Sequence, residues 1–235
     1  MSGHSKWATT KRQKGAADAK RGAIFTKLAK AITVAAKLGG GDAETNFRLR
    51  LAMDKAKSAN MPKDNIERAV KRGTGELTGG IIESVSYEGF GPGGSAFIIE
   101  ALTDNRNRTS AAVKHILTKY GGSLGSPNSV MRLFDQKGII RIKQIDDNLE
   151  LELIDAGCQD IVREDEGVTI YTVPADLKKI KDFLENKKIE VEYAEIELVA
   201  KEKKQVSTDE DEKIQKLMAD LEDDEDVNNY YTNAE

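Results

Sequence analysis

The stretch that decides the fold runs from residue 139 to residue 198 and reads IIRIKQIDDNLELELIDAGCQDIVREDEGVTIYTVPADLKKIKDFLENKKIEVEYAEIEL. Its apolar residues switch between the two-residue period of strands and the 3.6-residue period of helices. The pattern predicts a strand at 139–142, a helix at 147–156, a hairpin of strands at 160–163 and 168–173, a helix at 174–186 and a strand at 190–198. This β-α-β-β-α-β order is that of a ferredoxin-like fold.

The residues that precede this stretch contain only part of a similar set. Strands are predicted at 83–88 and 95–102, a helix at 109–120 and a strand at 129–134. The helix and strand that would complete the set come at the end of the chain, where Thr208 caps a helix to Leu221 and a strand follows at 227–232. We therefore expect a discontinuous middle domain, residues 79–135 plus 207–235, with residues 136–206 inserted into it.

Residues 1–78 are predicted to form a basic arm and a small helical bundle. Helices are expected at 20–38, 44–58 and 62–72, separated by glycine-rich or capping residues. The first helix has an apolar stripe made of Ile24, Leu28, Ile32, Ala35 and Leu38, and its cations Lys20, Lys27, Lys30 and Lys37 fall off that stripe, toward solvent. The predicted class is α+β with three domains, an N-terminal basic helical bundle followed by two ferredoxin-like domains, one inserted into the other.

Charge is distributed very unevenly along the chain. The net charge is only −4, but residues 1–72 hold 17 Lys and Arg against 6 Asp and Glu, whereas the remainder holds 19 against 34. A polyanionic partner would be attracted to the first third of such a molecule. Nucleic acid is the polyanion that lysine and arginine bind by displacing counterions.

The first twenty-one residues carry this signal most strongly. They contain six Lys or Arg, one acid and Trp7, the only tryptophan, and they show no apolar period. In one interpretation the cations bind phosphates and the indole of Trp7 stacks on bases. In the other, the segment is a disordered leader whose Trp7 packs against the next helix. The candidate nucleic-acid-binding residues of the whole chain are His4, Ser5, Lys6, Trp7, Lys11, Arg12, Lys14, Lys20, Arg21, Lys27, Lys71, Arg72, Arg106 and Arg108.

Two charged segments outside the arm have two interpretations each. Residues 104–108, DNRNR, place two arginines at a helix start, where they either donate to phosphates and bases or pair with Glu83 or Glu100 in a capping turn. The acidic run from Glu222 to Asp226 is either a solvated helix end or a shield for the basic arm in the absence of nucleic acid.

The sequence gives little support for catalysis or for metal binding. His4, His115 and Cys158 are far apart, His115 is expected to be half-buried and Cys158 to be a packing residue, so neither a metal site nor a cofactor is predicted. Gly89, Gly91 and Gly94 match a dinucleotide fingerprint as a string, but a strand follows them, which indicates a hairpin loop. With one cysteine and neither an apolar leader nor a membrane-length apolar run, a cytoplasmic location is expected.

Several blocks of the sequence together resemble the YebC/PmpR family. They are GHSKW at 3–7, KGA at 14–16, IFTKL at 24–28, LGGGD at 38–42, NMPKDNI at 60–66, RGTG at 72–75, YEG at 87–89 and LTDNRNRT at 102–109. The resemblance spans nearly the whole chain and implies a three-domain cytoplasmic protein described as a DNA-binding transcriptional regulator. It also implies relatives that act on the ribosome and assist synthesis of difficult stretches such as proline runs.

The sequence thus favours a non-enzymatic nucleic-acid-binding regulatory protein. DNA is the target that the resemblance implies, whereas ribosomal RNA suits an arm that offers charge, stacking and shape without a recognisable reading helix. A protein–protein adaptor is the alternative from a different class, and a monomer or weak oligomer is expected.

Overall fold

The computed structural model describes residues 18–235, with side chains from Arg21 onward. The chain is α+β, with helices first and two antiparallel four-stranded sheets after them, which confirms the predicted fold class. Among the described helices, none is long and apolar enough to cross a membrane.

Three helices form the N-terminal bundle. They are α1 (Asp18–Gly39), α2 (Phe47–Ser58) and α3 (Lys63–Gly73). The Asn46 side chain caps α2 by accepting from the Leu49 amide, so this helix begins three residues later than predicted. The buried core of the bundle consists of Leu28, Ile32, Ala35, Ala36, Leu49, Ala56, Met61, Ile66 and Ala69.

Two expectations about α1 were wrong. Leu38 is 65% exposed, because it lies in the last turn of α1, past the residues that α2 and α3 cover. Lys27 and Lys30 do not face open solvent, because the end of the chain packs against them. The apolar stripe therefore ends at Ala35 and Ala36, and part of the helix that was predicted to be solvated has a protein partner.

The first sheet has the strand order β3-β1-β2-β8. Its strands are β1 (Glu83–Phe90), β2 (Ala96–Thr103), β3 (Ser123–Leu124) and β8 (Val227–Thr232). The glycine-rich loop between β1 and β2 closes an antiparallel hairpin, as predicted, and Gly93 and Gly94 take positive φ values of 65° and 69° there. The last strand of the chain, β8, pairs with β2.

Helices α4 (Arg106–Lys119) and α7 (Thr208–Asp223) cover this sheet. The cap of α7 is Ser207 and not Thr208, since Ser207 forms a reciprocal capping box with Glu210. The shared core contains Phe97, Ile99, Val113, Ile116, Leu117, Ile214, Leu217, Met218, Leu221, Val227, Tyr230 and Ala234.

The strand predicted at residues 129–134 was wrong. Met131–Leu133 is a single 3-10 turn, and the strand that pairs with β1 is the two-residue β3. The cause is Glu88, whose carboxylate accepts from the backbone amides of Asn128, Val130 and Met131 at 2.6, 2.7 and 2.8 Å. These bonds hold the segment in a turn. A β-strand here would need the same amides for its ladder, so the bonds to Glu88 would be lost.

The second sheet has the order β5-β6-β4-β7. Its strands are β4 (Phe134–Ile142), β5 (Asp160–Glu164), β6 (Gly167–Thr172) and β7 (Val191–Ala200), with α5 (Asp147–Ala156) and α6 (Leu177–Asn186) between them. The element order and the all-antiparallel pairing match the ferredoxin-like prediction.

Contacts divide the chain into two compact units. One is Phe134–Lys201, and the other joins the residues before it to Glu202–Glu235. The bundle and the first sheet thus belong to one unit. The predicted boundaries at residues 78, 135 and 206 stay a prediction.

Candidate nucleic-acid interface

The helical bundle presents most of its cations to solvent. Eight of the twelve Lys and Arg residues between 21 and 72 are exposed, because the helices bury their apolar stripes and leave the charged faces outside. The exposed cations are Arg21, Lys37, Arg48, Lys57, Lys63, Arg68, Lys71 and Arg72. This face is suited to contact with a polyanion.

Many of the predicted binding residues lie outside the described part of the chain. His4, Ser5, Lys6, Trp7, Lys11, Arg12 and Lys14 precede residue 18, and the side chain of Lys20 precedes Arg21. Their role stays a prediction.

Three predicted residues lie on the exposed face of the bundle. Arg21 is in the first turns of α1, and Lys71 and Arg72 are in the last turn of α3. Within residues 21–235, neither Lys71 nor Arg72 forms an ion pair. Both are therefore available to an external anion.

Lys27 is in a different environment. Its ammonium donates a hydrogen bond to the carbonyl oxygen of Glu222, at the end of α7. Burial lowers the pKa of Lys27, against the opposing attraction of Glu222, Asp224 and Asp223. This cation is thus partly withdrawn from solvent.

Arg106 and Arg108 begin α4, and both have carboxylate partners. Arg106 pairs with Glu83 on β1, which is one of the two partners expected of a capping turn. The Nη2 atom of Arg108 lies 2.8 Å from Asp226 Oδ2 and 2.9 Å from Asp104 Oδ1. Glu100, the other expected partner, instead accepts from Asn229 and Tyr231. The two arginines are about half exposed, so the capping role leaves part of each guanidinium accessible.

Asp226 joins the bundle to the first sheet. Its Oδ1 atom accepts from Lys30 Nζ at 2.6 Å, and its Oδ2 atom accepts from Arg108 and from the hydroxyls of Thr103 and Thr109. Burial opposes ionisation of this carboxyl, but the bonds from Lys30, Arg108 and Thr109 outweigh it and lower the pKa of Asp226 to about 2. The carboxylate is therefore charged at every physiological pH.

A cleft of about 830 Å³ opens beside this network. Cations from three helices line it, namely Lys30 of α1, Arg72 of α3 and Arg108 of α4. Asp104, Asp224 and Glu225 line it as well, so its walls carry both signs of charge. Of the predicted residues, the cleft brings together Arg72 and Arg108.

The sequence prediction missed Lys30 and Asp226 as members of this site. Lys30 was assigned to a solvated face, and Asp226 was one of five adjacent acids with no distinguishing neighbour. The one sequence feature that distinguishes Asp226 is that it directly precedes Val227, the first residue of β8, and is therefore the acid nearest the core. His115, predicted to be half-buried, is exposed on α4, and Cys158 is free and partly buried after the left-handed Gly157.

Residues 18–235 contain no group of three or more His, Cys, Asp or Glu side chains that is placed to hold a metal ion.

Fold and charge together define the class of the protein: an α+β protein with a cationic helical bundle, a first sheet completed by the C-terminus and a ferredoxin-like insertion. Comparison with known proteins gives the family. Residues 5–76 match the model of the TACO1/YebC protein N-terminal domain, and residues 82–234 match that of the TACO1/YebC second and third domain. The chain belongs to the TACO1/YebC family.

Relatives and a solved structure agree with this assignment. A protein from Natranaerobius thermophilus is 47% identical, with 99% of this chain and 96% of the relative covered, and one from Citrifermentans bemidjiense is 50% identical, with 99% and 95% covered. Both bear the name "Probable transcriptional regulatory protein". The crystal structure of a conserved hypothetical protein, Aq1575 from Aquifex aeolicus, superposes with a TM-score of 0.88 at 43% identity over 98% of this chain and 97% of that one.

Proposed function

We propose that the protein is a non-enzymatic regulator that binds nucleic acid through its N-terminal arm and helical bundle. The observation that carries the proposal is the exposed cationic face of residues 21–72, at one end of an otherwise acidic chain. The names of the relatives, which describe transcriptional regulators, support the same class.

DNA is the target suggested by those names, and ribosomal RNA is the second candidate. One observation favours RNA: the cations lie on several helices and at helix ends, including Arg21, Lys71 and Arg72. A sequence-reading DNA protein usually inserts one helix into the major groove, whereas structured RNA is recognised by shape and phosphate contacts. A ribosome-associated translation factor would bind in this second way.

Salt dependence tests whether phosphates are the ligands. We expect the logarithm of the affinity for a DNA duplex or an RNA strand to fall with the logarithm of salt, by roughly 0.9 per phosphate contact on duplex DNA and 0.7 on a single strand. K71A/R72A should flatten that slope, and K11A/R12A/K14A should do so if the arm contributes. The matched control is K143A/K178A, which removes two exposed cations from the Phe134–Lys201 unit.

The outcomes separate the candidates. A slope that no variant changes would remove the arm and bundle from the interface, and salt-insensitive binding of a protein partner would favour an adaptor. Sequence-selective footprints on promoter DNA at physiological salt would favour transcription. Co-sedimentation with ribosomes, lost in K71A/R72A, would favour translation.

We further propose a cytoplasmic protein, a monomer or weak oligomer, with working domains at 1–78, 79–135 plus 207–235, and 136–206. The single free cysteine, Cys158, suits a reducing compartment. The pairing of β8 with β2 supports the discontinuous middle domain.

A further inference from the structure

Residues 222–226, EDDED, comprise the last two residues of α7 and the turn that leads from it to β8, and we name them the acidic turn. This turn lies against the cations that the proposed function assigns to nucleic acid. Lys27 and Arg108 were both predicted to bind phosphate, and both contact the acidic turn in this structure.

The contacts are those that phosphate oxygens would make. Lys27 donates to the Glu222 carbonyl oxygen, and Lys30 donates to the Glu225 carbonyl oxygen at 3.0 Å as well as to Asp226. Arg108 donates to Asp226 through both Nε and Nη2. Three cations from two helices thus receive oxygen ligands from one short acidic segment, as they would from a nucleic-acid backbone.

The acidic turn is anchored at both ends. At its start Glu222 and Asp223 belong to α7, and the Glu222 carboxylate accepts from the Tyr230 hydroxyl at 3.1 Å. Asp226 is held by Thr103 and Thr109, and its carbonyl oxygen accepts from the Leu102 amide at 2.8 Å. Glu225 is exposed, and among the described residues the Asp224 carboxylate accepts only from the amides of Asp226 and Val227. Asp224 and Glu225 are therefore the part of the acidic turn that can move while α7 and Asp226 stay in place.

The cleft is the place where a nucleic-acid phosphate would compete with the acidic turn for these cations. Lys30, Arg72 and Arg108 line it together with Asp224 and Glu225. A phosphate that enters the cleft gains the three cations and meets these two carboxylates, which oppose it electrostatically.

We propose that the acidic turn is an internal competitor for phosphate: it lies against the cations of α1 and α4 in the free protein, and nucleic acid displaces Asp224 and Glu225 from the cleft. The inference rests on the proposed function and adds its regulation. A site that is free for only a fraction of the time binds with an affinity lowered by that fraction, so the acidic turn would prevent weak, non-specific binding.

The test compares charge-matched variants. D224N/E225Q removes both carboxylates from the cleft and keeps an oxygen at position 224 for the amides of Asp226 and Val227. D209N/E212Q makes the same change in net charge at the other end of α7, where both side chains are exposed. Affinities are measured for a mixed-sequence DNA duplex and a polyuridine strand at low and physiological salt.

D224N/E225Q should bind both probes about three- to tenfold more tightly than the wild type, and the control should change by less than about twofold. Hydrogen exchange distinguishes a turn that is displaced from one that is only structural. If the acidic turn is displaced, a saturating concentration of the probe should accelerate exchange at the amides of Asp226 and Val227, whereas a purely structural turn would show no change. Equal gains in both variants, or unchanged exchange, would overturn the proposal.

The outcome also separates this proposal from the one it rests on. If the wild type fails to bind and D224N/E225Q binds, internal competition is supported and explains the failure. If neither binds, both proposals fail. If the wild type binds with a steep salt slope and D224N/E225Q shows no gain, the proposed function stands and internal competition is rejected.

Discussion

Asp226 combines a buried position with four donors, and its neighbours determine its charge. Its side chain is 8% exposed, and its pKa is lowered to about 2. A carboxyl whose pKa is lowered on folding stabilises the native state above its unfolded pKa, and this contribution is lost as the pH falls through the folded value. For Asp226 the loss falls between about pH 4 and pH 2.

D226N should lower the free energy of unfolding by about 2 to 4 kcal/mol at neutral pH, because Lys30 and Arg108 would keep their charges without the carboxylate. The difference from the wild type should shrink by roughly 2 kcal/mol as the pH is lowered to about 2. Urea unfolding at a series of pH values measures both, with D209N as the exposed control. A difference that stays constant with pH would contradict the assignment.

Glu88 is the residue that shapes the segment after β3. Burial opposes its ionisation, but the amides of Val130, Asn128 and Met131 outweigh burial and lower its pKa. E88Q replaces a carboxylate oxygen with an amide nitrogen that cannot accept these bonds. We expect a loss of about 1 to 3 kcal/mol and faster hydrogen exchange at Asn128, Val130 and Met131. E83Q, an exposed change on the same strand, is the control, and equal effects of the two would refute the role of Glu88.

Individual residues also show which features of the structure could be predicted from the sequence and which could not. Local periodicity identified Leu28, Ile32 and Ile66 as buried, since each lies on a helical stripe. It assigned Lys30 to solvent and residues 129–134 to a strand, because the partners that decide both, Asp226 and Glu88, are distant in the sequence. Pairwise bonds of this kind leave no trace in a local pattern.

At the scale of elements, the packing of α1 against α3 depends on a glycine. A Cβ atom on Gly73 would collide with the Thr33 carbonyl oxygen and lie 2.7 Å from the Cβ of Ala36. G73A should therefore destabilise the bundle by about 1 to 3 kcal/mol. Thermal unfolding followed by circular dichroism measures the change.

Gly22 is the matched control within the same bundle. It lies in α1, and a Cβ atom there would meet no atom of the described residues beyond its own helical backbone and chain neighbours within 4 Å. G22A should therefore stabilise the helix by about 0.5 to 1 kcal/mol, because alanine loses less backbone entropy than glycine. If both substitutions destabilised the protein, the packing of α1 against α3 would not explain the effect of G73A.

Helices and strands were predicted well where their period is long or their boundaries carry capping residues. The ends of α3 and α5 fell within a residue of prediction, as did β8, whereas β3 has only two residues and no period to detect. The site was less predictable than the fold. It depends on the packing of α1, α4 and the acidic turn, and most of the predicted arm precedes the described residues.

At the scale of the whole molecule, the unit Phe134–Lys201 begins and ends on paired strands. Phe134 lies opposite Ala200 in the β4–β7 ladder, so the two ends of the unit are neighbours. Replacing residues 134–201 with a short Gly-Ser linker should therefore leave the bundle and the first sheet folded. Cooperative unfolding and retained salt-dependent binding would support this, and loss of the native circular dichroism spectrum would refute it.

The pairing of β8 with β2 has a consequence for how the protein is made. Val227 is synthesised 124 residues after Thr103, so at about 5 to 20 residues per second the edge of β2 waits roughly 6 to 25 s for its partner. During that interval the nascent chain exposes the unpaired edge of an apolar strand whose other edge pairs with β1, while the insertion is already long enough to fold. Stalling or premature termination near the end of the message would thus yield a product with one finished sheet and one open, aggregation-prone edge.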